Sequence, residues 1–311
     1  MLKTMICADK LDRYYADTHA VQNLSFKLKQ GDVLGFLGPN GAGKSTTMQM
    51  LSGVLAPSAG RILINGIDLL EQPIQARAQL GYLPEKPPLY PELKVNEYLI
   101  FCAQLRRIKK ADLRQALDLV LQRCDLTDVR HRIIGNLSKG YQQRVGIAQA
   151  IIHQPAVVIL DEPSVGLDPI QVRKIRELIK QLSQQHSVIL STHILPEVQA
   201  VCNRVQIIQQ GKLVFSDTME NINSSAQDNQ LLVAFERPPA AHQLQAIDGI
   251  SAVSALGAGR FRLQIENSQP LGERISQVAL TQHWGLQELY REKQTLEQIF
   301  IELTSGEEQV R

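Results

Sequence analysis

The chain has 311 residues, 44% of them hydrophobic, and a formal net charge of +2. At roughly 100–200 residues per domain the length points to about two domains, and the composition excludes long disorder and collagen-like repeats. The near balance of 33 basic and 31 acidic side chains speaks against a protein built mainly to grip nucleic acid, whose domains read as strongly basic.

A membrane span needs about 20 mostly apolar residues, and the most apolar run, Ala156–Leu160, is five long. The first fifteen residues lack the apolar core of a secretory signal. Cys7, Cys102, Cys124 and Cys202 form neither a CxxC pair nor a cluster with histidine. That excludes a zinc or redox motif and predicts buried, reduced thiols.

Along the first 220 residues, short apolar runs alternate with helical patterns. Val33–Leu37 ends at glycine and Gly43–Leu51 opens a helix. Four prolines, Pro84, Pro87, Pro88 and Pro91, punctuate a loop. Helices are predicted over Val95–Arg107, with apolar Val95, Leu99, Phe101, Cys102 and Leu105, and over Asp112–Cys124. Residues 86–150 therefore read as a mostly helical subdomain. Ala156–Leu160, Ser187–Ser191 and Val205–Ile208 are further apolar runs, of the kind that becomes a strand buried on both faces of a parallel sheet. The class is α/β.

Beyond residue 223 the composition changes. Asn221–Gln230 is polar and reads as a linker between a domain at 1–223 and another at 224–311. The first carries 26 basic and 20 acidic side chains, the second 7 and 11. Strands are predicted at Leu231–Phe235, Ile250–Leu256, Arg260–Glu266 and Leu286–Arg291, with helices at Ala240–Ile247 and Leu271–Gln282. This β-α-β-β-α-β order predicts a small α+β, ferredoxin-like module. A last helix repeats Leu296, Ile299, Phe300 and Leu303 at helical spacing.

Two segments carry chemistry. Gly38-Pro39-Asn40-Gly41-Ala42-Gly43-Lys44-Ser45-Thr46 has the GxxxxGK[ST] spacing of a phosphate-binding loop and follows a strand into a helix. The unpaired N–H groups and partial positive charge of a helix N-terminus attract phosphate. Glycines let the backbone wrap it, Lys44 adds a full charge, and the Ser45 hydroxyl suits Mg²⁺. The second segment, Val157–Glu162, is an apolar strand ending in two adjacent carboxylates. Neighbours on a strand cannot aim alike, so Asp161 suits the metal and Glu162 the attacking water.

Four further segments carry a resemblance. Leu137-Ser138-Lys139-Gly140-Tyr141-Gln142-Gln143-Arg144 resembles the LSGGQ signature of ATP-binding-cassette (ABC) ATPases. Ser164–Asp168 resembles that family's D-loop, Ser191-Thr192-His193 its switch histidine, and Gly81–Glu85 its Q-loop. The resemblance spans about Leu2–Thr218. It implies a P-loop ABC ATPase cassette, a mixed-sheet core with a helical subdomain, that hydrolyses ATP with Mg²⁺. By this resemblance Lys44, Glu162 and His193 act on the γ-phosphate or the attacking water, and Ser45, Glu85 and Asp161 hold the metal. Gly38, Asn40, Gly41, Ala42, Gly43, Lys44, Ser45, Thr46 and Glu85 bind the nucleotide, while Ser138 and Gly140 reach it from a second copy. Tyr15 stacks on adenine, with Tyr14 as the alternative.

Glu85 departs from the usual Gln, Lys139 from a glycine and Tyr141 from a glutamine, which bears on rate and coupling more than on binding. Leu89–Leu99 and the terminal Thr295–Thr304 resemble ABC-2-type exporter subunits of the gliding-motility and copper-enzyme-maturation branch. The implied setting is a homodimer of cassettes on the cytoplasmic face of the inner membrane, driving a separate permease of about six spans, with no nucleic acid partner. A non-transport ABC ATPase acting on ribosomes or DNA is the alternative. Against it stand one phosphate loop rather than two and no long coiled coil.

Overall fold

The structure, a computed structural model, describes residues 2–224, 226–265, 271–293 and 295–304. It divides into two compact units, Met1–Met219 and Glu220–Arg311.

The first unit begins with a long antiparallel hairpin, β1 (Thr4–Tyr15) and β2 (Thr18–Lys29). In β2, buried Leu24, Phe26 and Leu28 alternate with exposed Ser25, Lys27 and Lys29, the period of a half-buried strand. Next come β3 (Val33–Leu37), α1 (Lys44–Leu51), β4 (Ala59–Ile64), β5 (Ile67–Asp68), α2 (Pro73–Ala78) and β6 (Leu80–Leu83). Three helices follow: α3 (Val95–Leu105), α4 (Leu113–Arg123) and α5 (Lys139–Ile151). The unit closes with β7 (Val157–Asp161), α6 (Pro169–Leu182), β8 (Ser187–Thr192), α7 (Leu195–Val201), β9 (Arg204–Gln209) and β10 (Lys212–Thr218).

These strands form two sheets. One is antiparallel in the order β2-β1-β4-β5. The other runs β10-β9-β3-β8-β7-β6, parallel from β9 to β6 with β10 added antiparallel. β3, β7 and β8 are buried along their whole length, as their unbroken apolar runs require. A single core joins the sheets through α1, with Leu11, Leu24 and Ile62 on one side, Phe36, Ile159 and Ile189 on the other, and Met48 and Leu51 between.

α3 and α4 end earlier than their apolar patterns suggest. Arg107 takes a positive φ of 59°, which stops helical propagation. Phe101 and Leu105 face solvent, while Tyr98 is buried and its hydroxyl donates to Pro88 O at 2.8 Å.

The second unit contains α8 (Met219–Ser224, its first residue closing the first unit), β11 (Ala226–Phe235), α9 (Ala241–Gln245) and β12 (Ile250–Gly257). It continues through β13 (Arg260–Ile265), α10 (Leu271–Thr281), β14 (Leu286–Lys293) and α11 (Leu296–Thr304). The sheet order is β12-β13-β11-β14, antiparallel throughout, which is the ferredoxin-like arrangement. Val233, Phe235, Leu263, Ile275 and Trp284 fill its core.

The linker expected over 221–230 is corrected. Its described residues belong to α8 and β11, because backbone ladder bonds, which pair Ala226 with Lys293 and Gln230 with Gln264, need no apolar side chains. Glu266, expected to end a strand, lies outside the described residues. Among the described residues no helix is long and apolar enough to cross a membrane.

Candidate active site

Parallel α/β sheets offer ligands the crevice beyond the carboxyl ends of their strands. Here β3, β7 and β8 lie side by side in the order β3-β8-β7. Each ends in a segment singled out by sequence: the phosphate loop, Asp161-Glu162 and His193.

The loop from Gly38 leads into α1, and Gly43 is the N-cap at φ 101°. A Cβ on Gly43 would stand 2.5 Å from Ala20 O, so the loop is pressed against β2; one on Gly41, at φ 79°, would meet nothing within 4 Å. Lys44 is buried, and its ammonium donates to Gly38 O at 2.9 Å and Pro39 O at 3.1 Å. Its third neighbour is Glu162 Oε1 at 3.6 Å.

Glu162 is 7% exposed and holds φ 49°, a conformation costly for a residue with a side chain and characteristic of functional positions. Its N–H donates to Ser191 O at 2.9 Å, tying the end of β7 to β8. Both carboxylate oxygens lie 3.0 Å from His193 Nδ1. Carboxylate oxygens accept, so Nδ1 is the donor in this contact.

Asp161 lies deeper. Burial pushes its carboxyl above the usual carboxylate range, the Ser191 and Ser45 hydroxyls pull it back, and the charges of Glu162 and Glu85 push it further up. Its Oδ1 is buried without a hydrogen-bond partner. An orphaned hard oxygen next to the Ser45 hydroxyl suits a divalent cation such as Mg²⁺.

A cleft of about 410 Å³ opens over these groups. Of the residues singled out by sequence, Asn40, Gly41, Gly43, Lys44, Ser45, Thr46, Glu85, Glu162 and His193 line it. Gly38, Ala42 and Asp161 are buried and are not part of its lining. Ala20 and Val165 line it as well. Val165 belongs to the D-loop-like segment, whereas no local signal marks Ala20, a small residue on a strand far from the loop in sequence.

Tyr15, Ser138 and Gly140 do not line this cleft. Ser138 is the exposed N-cap of α5 and makes no capping bond of its own. Gly140 is packed against the side chain of Gln171, and the Lys139 ammonium lies over Gly166. Asp168 Oδ1 accepts from Gln171 N at 2.9 Å and so caps α6. A second cleft of about 410 Å³ lies between Glu85–Pro91 and the start of α5, lined by Lys86, Leu89, Ile134, Lys139 and Gln142 among others.

At the end of the β1–β2 hairpin the two tyrosines differ. Tyr14 stacks on His19 with ring centroids 4.0 Å apart and planes at 16°. Tyr15 is 41% exposed, with the Arg13 guanidinium 4.9 Å from its ring centroid.

Comparison with known proteins identifies the family. Residues 21–165 match the ABC transporter family. The linearmycin resistance ATP-binding protein LnrL of Bacillus subtilis (strain 168) is 30% identical over 96% of this chain and 98% of its own. The bacitracin transport ATP-binding protein BcrA of Bacillus licheniformis is 37% identical over 68% of this chain and 69% of its own. A bacterial ABC transporter cassette solved as a dimer superposes with a TM-score of 0.63 and 23% identity, covering 69% of this chain and 99% of that one. The last likeness is one of fold.

Proposed function

The chain belongs to the ATP-binding subunits of ABC transporters, and from that premise we propose that two copies close on ATP to drive a separate membrane subunit of ABC-2 exporter type. As a family member it binds and hydrolyses ATP. The reading of the site is supported above all by one observation: Lys44, Glu162 and His193 converge from three parallel strand ends on one cleft.

Lys44 exchanges its bonds to the carbonyls of Gly38 and Pro39 for the β- and γ-phosphate oxygens, joined by the loop N–H groups at the start of α1. Ser45, Asp161 and Glu85 are the residues that would hold Mg²⁺, which when bound supplies positive charge against the phosphate oxygens. Glu162, fixed between Lys44 and His193, orients the attacking water and accepts its proton. His193 contacts the γ-phosphate. Ser138 and Gly140 face the nucleotide of the opposite copy, where an uncapped helix start offers donors to phosphate. Tyr15 stacks on adenine.

The second cleft is the docking groove for a short helix of the membrane subunit. The names of LnrL, for linearmycin resistance, and BcrA, for bacitracin transport, favour an exporter. The solved dimer of a similar cassette favours the paired arrangement.

Glu162→Gln tests the mechanism. The variant keeps ATP affinity within about threefold and lowers kcat by about 10²–10⁴, the range for a lost general base. With ATP and Mg²⁺ it accumulates as a dimer on size-exclusion chromatography. Normal turnover, or a persistent monomer under saturating ATP, refutes it.

A further inference from the structure

We propose that Asp12 and His19 act together as a clamp, through the ring of Tyr14, that holds the end of the β1–β2 hairpin so that Tyr15 is presented to the nucleotide base. They are positioning residues for base recognition, and the inference rests on the reading of Tyr15 as the adenine-stacking ring.

The argument begins with the pleat. Tyr14 pairs with His19 across the ladder and Tyr15 with Thr18. Side chains alternate along a strand, so Tyr14 and His19 share one face while Tyr15 and Thr18 share the other; the register shifts between Arg13 and Tyr14, which leaves Ala20 at the irregularity of β2. Ala20 lines the nucleotide cleft, and its carbonyl is pressed on Gly43 of the phosphate loop. The strand that pairs with Tyr15 is thus tied to the loop two residues beyond Thr18. Gln22 N donates to Gly211 O at 2.8 Å and Gly211 N to Ala42 O at 2.9 Å, a second tie between β2 and the loop.

The opposite face carries the clamp. Asp12 Oδ1 lies 2.7 Å from His19 Nε2 and also accepts from Asn23 N at 3.0 Å. Asn23 holds φ 47°, so the carboxylate braces an irregular point of β2 and the imidazole together. The imidazole plane is fixed in turn against Tyr14. Tyr14 N donates to Ser58 Oγ at 3.2 Å and Arg13 Nη1 to Ala56 O at 3.0 Å, anchoring β1 beside β4. The hairpin tip itself is only Ala16 and Asp17, with Ala16 at φ 46°.

A two-stranded end is marginal unless side-chain pairs hold it. The stacked pair therefore decides how much of the time Tyr15 is in place. Arg13 covers one face of that ring, and the residue stays 41% exposed. The side chains of Asp12 and His19 are 22% and 29% exposed, and neither lines the phosphate cleft, so the clamp governs the base and not the phosphates.

The test measures equilibrium binding of ATP and of inorganic triphosphate, each with Mg²⁺, together with steady-state KM and kcat. His19→Ala and Asp12→Ala each weaken ATP binding by about five- to tenfold, the scale of a lost aromatic stack, and raise KM to match. Triphosphate affinity and kcat move less than twofold. His19→Phe, which keeps a ring over Tyr14, restores most of the ATP affinity lost in His19→Ala. Equal weakening of ATP and triphosphate, or unchanged ATP binding in both alanine variants, overturns the clamp. Tyr15→Ala separates the two readings. If it weakens ATP alone while His19→Ala does nothing, only the clamp fails; if it spares ATP, the reading of Tyr15 fails and the clamp with it.

Discussion

Alanine at Gly43 and alanine at Gly41 are expected to differ in a way that reports the contact between the phosphate loop and β2. Both positions have positive φ, 101° and 79°, so either alanine is strained by about 1–3 kcal/mol. At Gly41 nothing stands within 4 Å of the new Cβ, and the strain is the whole cost. At Gly43 the Cβ would meet Ala20 O at 2.5 Å where ordinary contact starts at 3.4 Å, so loop and strand must part by about 0.9 Å. Both sides are backbone and neither can rotate away. Overpacking of this kind adds about 1–3 kcal/mol. For a unit of this size 1 kcal/mol moves Tm by about 2–4 °C. Taking mid-range values, Gly41→Ala lowers Tm by about 6 °C and Gly43→Ala by about 12 °C. Differential scanning calorimetry of the nucleotide-free protein, read on the transition of the first unit, checks this. A difference under about 2 °C between the two variants would refute the reasoning, because it would mean that the loop is not held against Ala20.

Two further outcomes follow from the same structure. Burial, with Arg106 nearby, pushes the His153 imidazole down from 6.5 to about 4, and His186 is pushed down by burial too. An imidazole whose folded pKa is below its unfolded value binds more protons when unfolded, so stability falls as pH drops from about 6.5 to about 4 and levels off below. In His153→Gln, urea midpoints at pH 7 and pH 5 lie closer together than in the parent; an unchanged gap would exclude His153 as a source. Asp168→Ala removes the cap of α6 and costs about 1 kcal/mol, read as a lower urea midpoint at unchanged slope. Asp168→Asn, which can still accept from Gln171 N, recovers most of it, and equal loss in both variants would assign the effect to charge.

The parts legible in the sequence are those in which function is written into contiguous backbone. The phosphate loop and the apolar strand ending in Asp161-Glu162 each set their own local conformation, and the β-α-β-β-α-β order of the second unit needs only alternation and turns. The sheet formed by β1, β2, β4 and β5 was not legible. β1 departs from regular register at several points between Thr4 and Tyr14, and each irregularity breaks the period of two that would betray a strand. The polar start of β11 was hidden because ladder bonds are blind to side-chain polarity.

Tyr14 and Tyr15 show most plainly where sequence stops. Adjacency on a strand already sends the two rings to opposite faces, but the nearness of their hairpin to the cleft depends on Ala20 of β2 lying against Gly43. The meeting of Lys44, Glu162 and His193 likewise depends on the order in which β3, β8 and β7 pair. Local backbone chemistry determines what each segment can do; long-range strand pairing, set by burial of two sheets against α1, decides which segments do it together.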